Sequence, residues 1–133
     1  MGTRSSVHVV CEDGIIRSVY GHWDGYPDDG GVGEMLANHY STQEKAEELV
    51  NLGDFSSLRK HICPQTKEGN HTWDSPIDDV SVFYGRDRGE DWEGVQPTKS
   101  STLAESLEAN CQQYNYKWEA GRWYCKEDQE WNK

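Results

Sequence analysis

Basic residues are scarce in this chain. Lys and Arg together number 13 against 24 Asp and Glu, which gives a formal net charge of -11 over 133 residues. Proteins that bind nucleic-acid backbones need clustered Lys and Arg to replace the condensed counterions, so we do not expect direct nucleic-acid binding. The acidic surplus instead favours a basic partner, or serves solubility alone.

Long apolar stretches are also missing, since none approaches the ~20 residues that a membrane span requires. The first residues contain no basic segment followed by an apolar core, so we expect neither export nor a membrane partner. Without export, free buried thiols are expected at all four cysteines, which form no CxxC pair: Cys11, Cys63, Cys111 and Cys125. A zinc site from His61, Cys63 and His71 would match no standard ligand spacing, so we expect no cofactor.

Aliphatic residues are few, and only 34% of the chain is hydrophobic. Six Trp and seven Tyr compensate, because each aromatic ring buries a large area. The length suits one modest core. We therefore predict a single domain over residues 1–125, followed by a charged tail over residues 126–133.

Two hairpins are predicted from alternating apolar residues. Residues 7–11 and 16–20 flank Asp13-Gly14, which predicts a two-residue loop that pairs Cys11 with Ile16. Both faces of this hairpin carry apolar residues, so we expect it at the centre of a sheet. Aromatic residues alternate again on both sides of residues 119–121, which predicts a second hairpin with cross-strand ring pairs.

The remaining elements follow from caps and apolar stripes. Residues 34–40 predict a short helix, and a Ser41–Glu44 capping box starts a second one that ends near Gly53. A brief helical turn at 54–58, a third strand at 80–84, an irregular segment at 91–99 and a helix capped by Ser101 or Thr102 follow. We therefore predict an α+β fold: an antiparallel sheet of about five strands, two hairpins plus one central strand, with two to three helices on one face.

The stretch HWDGYP, residues 22–27, combines unusual chemistry with turn-forming glycines. On an extended chain His22 and Asp24 share one face, so they suit a base and its orienter, or metal ligands, while Trp23 points into the core. The structural alternative is that both side chains hydrogen-bond their own loop. Tyr26, Asp28 and Asp29 extend the candidate surface.

A second charged stretch, YGRDRGE at residues 84–90, is predicted as a loop between glycines. Its Arg86 and Arg88 either pair with carboxylates such as Asp24 or Glu34, or form an anion pocket. Combining both stretches with the nearby Trp92 gives the candidate binding residues: His22, Trp23, Asp24, Tyr26, Asp28, Asp29, Arg86, Asp87, Arg88, Glu90 and Trp92.

Five blocks occur in order along the chain: GTRS at 2–5, HWDGYP at 22–27, LGDFSSL at 52–58, YGRDRGE at 84–90 and GRWY at 121–124. Together they resemble a family of small uncharacterised bacteriophage proteins, over nearly the whole chain. This chain lacks much of the long insert that members often carry before GRDRGE. The resemblance implies a viral context and the host cytoplasm, and it carries over no activity and no catalytic residues.

The acids are clustered in sequence, and such clusters can imitate a run of phosphates. Four groups stand out: Asp24, Asp28, Asp29 and Glu34; Asp74, Asp78 and Asp79; Asp87, Glu90, Asp91 and Glu93; Glu127, Asp128 and Glu130. The first hypothesis is therefore a non-enzymatic acidic protein of the anti-CRISPR or DNA-mimic type. It would occupy a basic nucleic-acid-binding surface on a host enzyme, and a homodimer remains an open alternative.

Two other functions stay open. A binder or sponge for a nucleotide signal would use rings and guanidinium groups: Arg4, His22, Trp23, Tyr26, Arg86 and Arg88. A small hydrolase would instead use His22, Asp24 and Glu90.

Overall fold

The computed structural model describes residues 3–26, 31–59, 61, 80–110, 112, 114–119 and 121–127, without the side chains at 86, 88 and 125–127. The elements in order are β1 (Ser5–Val10), β2 (Ile16–Gly21), α1 (Val32–His39), α2 (Gln43–Asn51), β3 (Phe55–Ser57), β4 (Val82–Phe83), α3 (Tyr84–Arg88), α4 (Trp92–Val95), β5 (Thr98–Ser100), α5 (Leu103–Ala109), β6 (Tyr114–Glu119) and β7 (Arg122–Glu127). The predicted α+β class is confirmed. Asp28, Asp29 and the tail beyond residue 127 lie outside the described residues.

The strands form one mixed sheet in the order β4-β3-β2-β1-β6-β7, with β5 also paired to β2. β1 runs parallel to β6, and β2 runs parallel to β3. The prediction of a purely antiparallel sheet of about five strands is therefore wrong. Local turn residues predict hairpins, whereas these parallel pairings join segments far apart in sequence, and no local pattern predicts them. The predicted central place of β1 and β2 is confirmed.

The first hairpin exists, but its predicted register is wrong by one residue. Val10 pairs with Ile16, and the N–H of Cys11 donates to the carbonyl of Ile15 over 3.1 Å. Gly14 takes φ +83° and donates to the carbonyl of Cys11, which closes a three-residue loop. A left-handed glycine at the end of such a loop absorbs the extra residue, so Cys11 faces Ile15 and not Ile16.

Helices cover both faces of the sheet, which corrects the expectation that they lie on one. On the first face Val7, Val9 and Val19 pack in the main core with Leu36 of α1 and Leu49 of α2. The alternate residues of β1 point the other way, because successive strand side chains face opposite sides.

On that second face α5 buries a polar cluster. His8 is fully buried, with Nδ1 hydrogen-bonded to Oγ of Ser106 at 2.6 Å and Nε2 to Oγ of Ser6 at 2.8 Å. The hydroxyl of Ser6 donates to Oδ1 of Asn115. The buried residue of α5 is the polar Ser106, so apolar periodicity does not indicate that this helix forms a second layer.

Helix starts depend on their caps, and one predicted cap is wrong. Oγ1 of Thr42, not Ser41, accepts the N–H of Lys45 at 3.1 Å and caps α2. Ser41 instead donates to the carbonyl of Ala37 at the end of α1. Of the two caps predicted for the last helix, Ser101 or Thr102, it is Thr102 that caps α5, since its Oγ1 accepts the N–H of Glu105 at 3.1 Å.

Two local predictions are wrong, and at β3 and β5 the reason is that sheet pairing overrides propensity. The segment predicted as a helical turn at 54–58 contains β3, and the segment predicted as irregular at 91–99 contains α4 and the start of β5. The second hairpin is confirmed, with the rings of Trp118 and Trp123 facing each other at 5.2 Å between centroids. Cys11 is confirmed as a buried free thiol.

Candidate functional site

The HWDGYP loop is a structural anchor between several elements. The N–H of Gly25 donates to the carbonyl of Thr3 at 2.7 Å, and Oη of Tyr116 donates to the carbonyl of Gly25 at 2.5 Å. The N–H of Val32, at the start of α1, donates to the carbonyl of Asp24 at 2.7 Å. A Cβ at position 25 would lie 2.7 Å from the Thr3 oxygen, so this approach requires glycine. The loop therefore joins β1, β6 and α1.

His22 and Trp23 lie at the outer end of β2. Nδ1 of His22 is hydrogen-bonded to Oη of Tyr20 at 2.8 Å, and its ring meets the ring of Trp23 edge-on at 4.7 Å between centroids. Trp23 is 43% exposed, so its predicted place in the core is wrong. Asp24 takes φ +56°, which ends the extended chain, and the strand alternation used for that prediction does not continue through the loop.

Asp24 has partners of its own. Its Oδ1 accepts from Oη of Tyr26 at 3.1 Å, and its Oδ2 lies 3.5 Å from Nη1 of Arg59. No hydrogen bond joins His22 to Asp24 in the described structure, so the base-and-orienter pair is not formed. The cation beside Asp24 is Arg59, which sequence reasoning missed because 35 residues separate the two and no local pattern links them.

The YGRDRGE stretch is a helical turn, α3, and not the predicted loop. Gly89 takes φ +72° and ends the turn, and the N–H of Glu90 donates to the carbonyl of Tyr84 at 3.0 Å. Oδ2 of Asp87 accepts the N–H of Phe83, the residue just before α3, at 2.8 Å, so this carboxylate satisfies a backbone donor at the start of its own helix. The side chains of Arg86 and Arg88 lie outside the described part of the structure.

Asp54 links the two stretches, and sequence reasoning did not single it out. Its Oδ1 accepts the N–H of Tyr20 at 2.8 Å, its carbonyl accepts the N–H of Tyr84 at 3.1 Å, and its N–H donates to the carbonyl of Val95 at 2.8 Å. Burial raises the pKa of the Asp54 carboxyl to about 6, against the smaller opposing effect of the Tyr20 N–H. In the sequence Asp54 is a single acid outside any motif, so no local pattern indicates that it joins three elements.

Trp92 is the most exposed large apolar side chain in the described residues, at 46%. Its ring packs against Gly53 and Gly85, where added Cβ atoms would lie 3.0 and 3.3 Å from it. Glu90, Asp91 and Glu93 beside it are all exposed. We call residues 90–93 the acidic ridge.

A cavity of about 360 Å³ lies next to the ridge, at the meeting point of β2, α4, β5 and the end of α5. Polar residues dominate its wall: Tyr20, Asp54, Glu93, Gln96, Thr98 and Asn110. A second cavity of about 340 Å³ lies near Ser41 and Trp123. Four of the six residues assigned to a nucleotide site line neither of these two cavities: Arg4, His22, Trp23 and Tyr26. The side chains of the other two, Arg86 and Arg88, lie outside the described part of the structure.

Metal binding and membrane insertion gain no support. Within the described ranges, no group of three or more His, Cys, Asp or Glu side chains is placed to hold a metal ion. Cys63 and His71, two of the candidate zinc ligands, lie outside those ranges. Every helix that the structure describes is too short and too polar to cross a bilayer.

No protein-family model matches this chain, and no curated protein or solved structure matches it either.

Proposed function

We propose that this protein is a phage-encoded acidic binding protein that occupies the basic nucleic-acid-binding surface of a host defence or nucleic-acid-processing enzyme. The observation that carries the proposal is the acidic ridge. There a half-exposed tryptophan stands among three exposed carboxylates. Tryptophan supplies desolvated contact area, and carboxylates supply the charge that a basic groove attracts.

Two carboxylates of the ridge, Asp91 and Glu93, are available to a partner. Asp91 and Glu93 make no ion pair with any side chain that the structure describes. A net charge of -11 adds a long-range attraction to a basic surface and raises the rate of encounter. These carboxylates would compete with phosphates for the same Lys and Arg side chains.

The backbone of the ridge is held before any partner arrives. The N–H of Gln96 donates to the carbonyl of Trp92 at 2.8 Å, and the N–H of Asp54 donates to the carbonyl of Val95 at 2.8 Å. The ring of Trp92 rests on Gly53 and Gly85. A preformed surface loses less conformational entropy on association, which favours binding.

The test uses the full chain as bait in a host-cell lysate. Asp91→Lys/Glu93→Lys reverses charge on the ridge, and Glu44→Lys/Glu48→Lys makes the same net change on α2, across the sheet. We expect the wild type and the α2 variant to capture a protein that duplex DNA displaces, and the ridge variant and Trp92→Ala to lose it. Equal capture by both charge variants, or capture that DNA does not disturb, would refute the proposal.

A further inference from the structure

The cavity beside the acidic ridge has the chemistry of a cation site. Two carboxylates from different elements line it, Asp54 before β3 and Glu93 in α4. Gln96 and Asn110 add side-chain amides, whose oxygens can accept hydrogen bonds. The wall therefore offers several acceptors around a space of about 360 Å³.

Asp54 is the less exposed of the two carboxylates in this wall. Its carboxylate receives one described hydrogen bond, from the N–H of Tyr20 to Oδ1, and no ion pair with a described side chain. A carboxylate held partly out of water with one donor gains from a cation that supplies more donors.

We propose that this cavity binds a guanidinium group, and that in the complex it receives an arginine side chain of the basic partner. A guanidinium presents five N–H donors in a planar fork, which suits acceptors spread over several elements better than a compact ammonium does. Tyr20 also lines the cavity, and its polar wall suits a charged ligand with several donors. The identity of the bound group as a partner's arginine rests on the proposed function, whereas binding of guanidinium itself does not.

Gly94 offers a way to block the cavity without changing charge. It lines the cavity, and a Cβ built on it meets no atom within 4 Å. Its φ is not in the left-handed region, so a larger side chain fits the backbone. Gly94→Leu should fill the space that the guanidinium would use.

The test is a titration of the full-length, isotope-labelled protein with N-acetyl-L-argininamide, followed by NMR at pH 7.5. We expect a Kd on the order of 1 mM for so small a ligand, with shifts centred on Tyr20, Asp54 and Asn110. The citrulline analogue has the same shape without the charge and should not bind. The lysine analogue should bind several-fold more weakly.

Three variants complete the experiment. Asp54→Asn should weaken binding of the arginine analogue by about tenfold or more, and Gly94→Leu should abolish it. Glu44→Gln removes one exposed acid from α2 and should leave it unchanged. Equal binding of the citrulline or lysine analogue, or unchanged binding in both Asp54→Asn and Gly94→Leu, would overturn the inference.

The two proposals fail separately. If the arginine analogue does not bind but capture from lysate still depends on the ridge, only the guanidinium site is refuted. If the analogue binds as expected but nothing is captured, the site stands and the proposed function is refuted.

Discussion

The main-chain N–H of Tyr20 donates to Oδ1 of Asp54 across 34 residues of chain, at 2.8 Å. Through this bond and the contacts of Asp54 with Tyr84 and Val95, the end of β2 is fixed to α3 and α4. Asp54 therefore connects the strand that leads into HWDGYP with the helical turn that carries YGRDRGE. Both the acidic ridge and the cavity beside it depend on that connection.

Replacing Asp54 by Asn should raise stability at pH 7.5. The folded state raises the pKa of this acid from 3.8 to about 6, so folding favours the neutral form and the wild type loses stability as pH rises through that range. Asn keeps an oxygen for the Tyr20 N–H and carries no charge. Because the side chain is partly exposed, we expect a gain of only about 2–4 °C in Tm, which vanishes below pH 4. A lower Tm for Asp54→Asn at pH 7.5 would contradict this.

His8 should stay neutral well below its ordinary range. Burial lowers the pKa of His8 from 6.5 to about 4, against the smaller opposing effect of the Asn110 carbonyl. Neutral His8 contributes fully to the free energy of unfolding above pH 6.5. As pH falls from 6.5 toward 4, that contribution declines, by about 3 kcal/mol in all. Stability rises with pH because of His8 and falls with pH because of Asp54, so the two effects partly cancel in the wild type. The effect of His8 is therefore best measured by urea unfolding of Asp54→Asn across this pH range. NMR titration of the His8 ring near pH 6.5 would contradict the account.

Two buried serines near His8 should respond differently to alanine. Ser106→Ala removes the partner of Nδ1 of His8 and should lower the free energy of unfolding by about 1–3 kcal/mol. Oγ of Ser18 is equally buried and has no hydrogen-bond partner among the described residues, so Ser18→Ala should be neutral or stabilising. Urea unfolding at pH 7 measures both. Equal losses would mean that the cluster around His8 adds nothing beyond packing.

Glycine should be required at position 25 but not at position 94. A methyl group at Gly25 would press on the Thr3 carbonyl and disturb the bond from Tyr116, so Gly25→Ala should destabilise by about 2 kcal/mol or more. A methyl group at Gly94 meets open space, so Gly94→Ala should lie within about 0.5 kcal/mol of the wild type. Thermal unfolding compares them. A tolerant Gly25 would remove the argument that HWDGYP is a structural anchor.

The sequence predicted local elements well where a side chain or a turn carries its own signal. Thr102 as a cap and the Trp118–Trp123 pair follow from neighbouring residues, and both are observed. The parallel pairings of β1 with β6 and of β2 with β3 depend on distant segments, so no local pattern predicts them. The register error at Cys11 arose because Asp13-Gly14 fits both two-residue and three-residue loops.

In the candidate site, too, the sequence predicts local features but not contacts between distant residues. The acidic charge is readable from composition, and Trp92, a candidate binding residue from the sequence, is exposed. Asp54 and Arg59 act through contacts 34 and 35 residues away in sequence, and such contacts exist only once the chain has folded. The predicted pairing of His22 with Asp24 assumes an extended chain, and the chain is not extended at Asp24, where φ is positive.

The most direct test of the central claim is the association rate constant between this protein and its captured partner, measured from 50 to 500 mM salt. Steering by the acidic ridge predicts a steep fall of that rate with rising salt, because ions screen exposed charges over about 10 Å at 0.1 M. The association rate constant should depend less on salt in Asp91→Lys/Glu93→Lys than in Glu44→Lys/Glu48→Lys. A wild-type rate that is independent of salt would contradict recognition by acidic charge.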